Sequence, residues 1–112
     1  MTYEELGQML AASGYPVAYG YFKTEQAPPY VLYRFAYSNN LSADGEVYIT
    51  VDHIQIELYT KTKDEEAEAA VEAQLSPTFF FQKSQEYDED QKVYQTVYEI
   101  EVLKNARKQS SV

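Results

Sequence analysis

Residues 53–75 read HIQIELYTKTKDEEAEAAVEAQL, and a change of period within them decides the fold. Up to Thr60, apolar and polar residues alternate, as in a strand whose side chains point to opposite faces in turn. Ile54, Ile56 and Leu58 make its apolar side. Beyond Thr60, Ala67, Ala70, Val71, Gln74 and Leu75 recur at threes and fours, the spacing of one helical face. Thr62 with Glu65 fits a capping box, acidic residues 64–66 suit the positive end of the helix dipole, and Pro77 marks the stop. Small alanines would let this helix lie close on a sheet.

The same reading extends in both directions. Upstream, Val47, Ile49 and Val51 occupy odd positions, whereas Ile54, Ile56 and Leu58 occupy even ones. Because strand side chains alternate with period two, the shift predicts a β-bulge or bend at Asp52-His53. NNLSADGE (39–46) reads as a turn-rich connection, and YVLYRFAYS (30–38) as a strand with Val31, Tyr33, Phe35 and Tyr37 on one side. KTEQAPP (23–29) is a loop and PVAYGYF (16–22) a first strand. The chain opens with a helix over Tyr3–Ser13, capped by Thr2 and Glu5 and closed by Gly14 and Pro16. Downstream, TFFFQKSQEY (78–87) and KVYQTVYEIEVL (92–103) are strands around the turn DEDQ. Val93 and Val97 interrupt an otherwise polar face, which predicts partial cover there. The result is an α+β domain over residues 1–103, of order α-β-β-β-α-β-β. Two helices pack on one face of a mainly antiparallel sheet of about five strands. A polar tail, 104–112, is expected to be flexible.

Composition narrows the function. The 112 residues carry 18 acidic and nine basic side chains, a formal charge of −9, which opposes phosphate backbones and anionic membranes alike. No cysteine is present, so thiolate chemistry and disulfides are excluded. No signal-peptide pattern or bilayer-length apolar run is found, and a soluble, cytosolically made protein is expected. Twelve tyrosines suit half-exposed strands and wet interfaces.

Three stretches could carry chemistry. Asp52, His53 and Glu57 are the only residues resembling a metal cluster, but a mononuclear site needs three or four convergent ligands and a strand would turn Asp52 away. The carboxylates at 64–72 lack a glycine-bearing calcium loop and are expected to form a solvated helix surface. The single histidine has no nucleophile motif near it, and no phosphate-binding or dinucleotide glycine pattern occurs. A non-enzymatic protein without metal or cofactor is expected. In FFF (79–81), alternation turns Phe79 and Phe81 one way and Phe80 the other, so one side needs cover from a helix or another subunit.

TYEELGQMLAASGYPVAYGYF, APPYVLYRF, NNLSADGEVY, IQIELYTKTKDEEAEAAVEAQL and VYQTVYEIEV, in that order, resemble small structural proteins of phages and prophages of Gram-positive bacteria. The resemblance covers about residues 1–103 and is carried chiefly by APPYVLY, ADGEVY and IELYTKTKD. It implies a tail-terminator or tail-completion protein at the head–tail junction, an α+β subunit that forms a ring, with a hexamer as the candidate size. Partners would be further copies of itself, the tail tube and the head connector, first in the host cytoplasm and then in the virion. No catalytic residue is carried over. Candidate subunit-interface residues are Asn39, Asn40, Leu41 and Asp44 in one connection, Phe79 and Phe81 in the phenylalanine run, and Tyr87 beside the acidic turn. The loop Lys23–Pro29 is a further place for contacts. A cytosolic adaptor or inhibitor that binds a host protein through an acidic, tyrosine-rich surface is the alternative.

Overall fold

The computed structural model describes residues 1–43 and 47–105, with side chains described outside 41–48 and 105. Elements follow in the order α1 (Tyr3–Ala11), β1 (Val17–Tyr19), β2 (Tyr30–Ala43), β3 (Val47–Thr60), α2 (Glu65–Leu75), β4 (Gln82–Asp88) and β5 (Val93–Asn105). The fold is α+β. Its five-stranded sheet has the order β1-β2-β3-β5-β4, antiparallel except for the short parallel pair β1–β2.

Both helices pack on one face. Thr2 caps α1 as the sequence predicts: its hydroxyl accepts from the Glu5 amide at 3.0 Å, and Glu5 accepts from the Thr2 amide at 2.8 Å. Leu6 and Leu10 then point into the core, and Gly14 closes the turn at φ 99°. For α2 the cap is Asp64 rather than Thr62, since the Asp64 carboxylate accepts from the Ala67 amide at 2.9 Å. The Thr62 carbonyl instead accepts from the Thr60 hydroxyl at 2.8 Å, which ends β3 before the helix begins. Ala67, Val71 and Leu75 of α2 meet Ile54, Ile56 and Leu58 of β3 and Tyr98 and Ile100 of β5 in one core.

The predicted irregularity exists but belongs to the neighbouring strand. β3 pairs with β5 without interruption from Ile49 to Thr60, so it cannot change phase. The extra residue sits in β2: Phe35 pairs with Ile54 and Tyr37 with His53, leaving Ala36 as the bulge. Ile49 and Val51 therefore face away from the helices while Ile54, Ile56 and Leu58 face them. Tyr37, expected beside Phe35, is turned to the opposite face.

Three further boundaries differ from the sequence reading. Asn39–Ala43 is strand, since β2 pairs with β3 as far as Ala43–Val47. The phenylalanines 79–81 precede β4 and follow a C-terminal turn in which the Phe79 amide donates to the Leu75 carbonyl at 2.8 Å. The last strand runs to Asn105, two residues beyond Leu103. The predicted cover over Val93 comes from the β1–β2 connection. It crosses the face away from the helices and encloses a hollow of about 530 Å³ with Tyr21, Phe22, Pro28, Leu32 and Val93 in its walls.

Candidate functional site

Beyond the helices the sheet narrows to three strands. β1 reaches only Tyr33 of β2, and β4 reaches only Glu99 of β5. The ends of β2, β3 and β5 therefore project as an arm, in a molecule measuring 52 × 27 × 26 Å. At the root of this arm the helix side is pinned by Tyr3. Its hydroxyl donates to Asp52 at 3.3 Å, and its ring lies beneath the Lys104 ammonium. Burial, then the Asp52 carboxylate, pushes the Tyr3 phenol up to about 12.

The opposite face of the arm root is a polar platform around His53. The Tyr37 ring stacks on the imidazole at 4.1 Å. Nδ1–H donates to Glu99 Oε2 at 3.3 Å, and Nε2 lies 2.7 Å from Asn39 Oδ1. Glu101 stands 3.9 Å from Nδ1. Further along this face Glu57 is buried, paired with Arg34 at 3.1 Å and accepting from the Tyr59 hydroxyl at 3.0 Å. Burial, followed by the Glu57 charge, raises the Tyr59 phenol far above its ordinary range. Asp52, His53 and Glu57 thus have separate partners. Asp52 is on the helix side, and among the described residues no group of three metal-ligating side chains converges.

Of the carboxylates expected to form a solvated surface on α2, Glu68 is the exception. Glu68 is only 4% exposed. Lys63 and Lys83 each approach it to 2.8 Å, and the Gln85 amide donates to it at 2.9 Å. Lys83 also pairs with Glu72, which accepts from the buried Tyr98 hydroxyl at 2.8 Å. Burial alone would raise the Glu68 carboxyl, but these donors outweigh it and hold the group down at about 2. The cluster ties α2 to β4, the edge strand. Its sequence signal was Lys83 and Gln85 on one side of β4, two and four residues beyond the phenylalanine run, which the acidic composition obscured.

Among the described residues, an uncovered apolar surface lies where β4 begins. Phe79 and Phe81 pack against the core, with Phe81 edge-on to Tyr98 at 5.2 Å. Phe80 is fully exposed. Together with Glu99, Glu101 and Leu103, itself 65% exposed, the segment Thr78–Gln82 walls a groove of about 350 Å³. A wholly solvent-exposed phenylalanine beside an exposed leucine marks an interaction surface more than a fold requirement.

The interface candidates therefore divide. Asn39 and Asn40 lie on the arm, bonded to His53 and to the Thr50 hydroxyl respectively. Leu41 belongs to β2, and Asp44 lies outside the described residues. Phe79 and Phe81 are largely internal, and Phe80 takes the exposed place. Tyr87 is half exposed at the far end of β4, packed on Tyr94 at 4.9 Å. No known protein-family model matches this chain, and no curated protein shows significant sequence similarity to it.

Proposed function

We propose that this protein is a non-enzymatic structural subunit of a tailed phage or prophage. In this reading it acts as a tail terminator or tail-completion protein at the head–tail junction. It forms a ring, with a hexamer as the candidate size, and contacts the tail tube on one side and the head connector on the other. It is made in the host cytoplasm and ends in the virion. The family reading comes from the resemblance of its sequence strings. The structural observation that supports an assembly role is the arm with two open margins and the exposed Phe80–Leu103 groove beside it.

Electron microscopy of particles from a strain lacking the gene tests the reading. Tails of irregular length or heads without attached tails are the expected result, with the epitope-tagged protein labelling the junction in complemented particles. Normal virions without the protein would overturn it.

A further inference from the structure

We infer that copies of this chain join edge to edge, the free margin of β5 (residues 100–105) receiving the free margin of β2 (residues 36–43) from the next copy. The sheet would then continue across the interface. This rests on the ring reading above and adds the surface that makes the ring.

Each margin is open for a visible reason. The last β4–β5 pair is Gln82–Glu99, so among the described residues β5 has no strand neighbour on that side from Ile100 onward. The groove of about 350 Å³ between Phe80 and Leu103 lies beside this margin. On the other margin β1 stops opposite Tyr33, and the Tyr19 hydroxyl accepts from the Phe35 amide at 3.1 Å. Beyond that residue the outer edge of β2 is unpaired among the described residues. Unpaired strand edges are templates for another chain.

A second copy fits these margins because each carries the complement of the other. They lie on opposite sides of one three-stranded arm, so their contact is heterologous and, repeated about an axis, closes a ring. β2 and β5 are both antiparallel to β3 and therefore run the same way. Rotation about an axis along the strands would pair them in parallel. The register forms the rows Arg34–Gln55–Glu99, Tyr37–His53–Glu101 and Asn39–Val51–Leu103. Extending the last two rows by one strand brings the next copy's Tyr37 beside Glu101 and its Asn39 beside Leu103. Tyr37, Phe80 and Leu103 are all strongly exposed, so this contact would cover apolar surface that a single copy leaves in water. A two-fold pairing of like β5 edges would instead leave the β2 margin of both copies open.

The absence of native cysteine permits a direct test on the full chain. Within one copy, Asn39 and Leu103 are separated by two strand spacings, about 9–10 Å, beyond the ~7 Å Cα limit of a disulfide. Mild oxidation of the double variant Asn39→Cys/Leu103→Cys should give a covalent ladder ending at the ring size. Each single variant should stay uncrosslinked. Tyr37→Cys/Glu101→Cys repeats the test one row away, and Phe80→Ala, at a fully exposed position, should weaken self-association at least tenfold. Efficient dimers from Leu103→Cys alone would replace the inference with two-fold pairing. Oligomers seen by light scattering without a ladder from either pair would overturn these edges as the interface and leave the ring reading standing. A protein that stays monomeric at millimolar concentration, with no ladder, overturns both.

Discussion

At Gly7 two effects of similar size oppose each other. Alanine in mid-helix is favoured over glycine by about 1 kcal/mol. An added Cβ would, however, meet the Tyr33 hydroxyl oxygen at 2.5 Å, and that hydroxyl donates to the Tyr3 carbonyl at 2.9 Å. Overpacking costs about 1–3 kcal/mol, and the displaced hydrogen bond adds to it. Gly7→Ala should therefore destabilise the fold by about 1–2 kcal/mol, read as a melting temperature several degrees lower. Glu68 gives a pH-dependent case. Its folded carboxyl is held near 2, below its ordinary range, so its contribution is complete above about pH 5 and is lost as pH falls through the folded value. Because the two lysines are themselves partly exposed, solvent screening reduces the effect. Glu68→Gln should cost about 2 kcal/mol at pH 7 and much less at pH 2–3, measured by urea titration at both values.

Among the elements, the segment before β4 separates folding from assembly within three consecutive residues. Phe81→Ala removes a partly buried ring from the face of Tyr98 and should cost about 2–3 kcal/mol. Phe80→Ala should leave stability within about 0.5 kcal/mol, compared by thermal melts of the two variants. The bulge makes an equally local prediction. Deleting Ala36 would close the bulge and leave Tyr37 next after Phe35, still opposite His53, so the upfield ring-current shift of the His53 ring protons should persist in the NMR spectrum, whereas Tyr37→Ala should abolish it. Periodicity made α1, α2, β3 and β5 legible in the sequence, together with the apolar core they share. The same alternation located the level of the bulge but not its strand, because a phase break in one strand can be absorbed by its neighbour. Asn39–Ala43 reads as turn because asparagine and serine favour turns locally, yet cross-strand pairing with β3 overrides that preference. Glu68 reads as solvated because its lysine partner from β4 is distant in sequence. The groove beside Phe80 was half legible: the triplet signalled an uncovered ring, but only the early end of β4 decides which one.

The whole molecule is extended. Its radius of gyration, 16.1 Å, exceeds the ~13 Å typical of a compact domain of this length, and the arm accounts for the difference. A charge of −9 on a body 27 Å across makes self-association sensitive to salt. Two such copies side by side repel by about 5 kcal/mol at 0.01 M ionic strength and by less than about 1 kcal/mol at 0.15 M. Even an exposed ion pair between copies would offset only about 0–1 kcal/mol of this, so repulsion dominates. Association should strengthen as salt rises over this range, measured by sedimentation velocity. The uninterrupted β3–β5 ladder also has a mechanical meaning. Its hydrogen bonds lie across the strands, so a load applied along the arm would stress every bond from Ile49 to Thr60 together instead of peeling them one by one. A particle that pulls on its joints along this direction would meet a brittle, strong element, whereas the same force applied crosswise would unzip it.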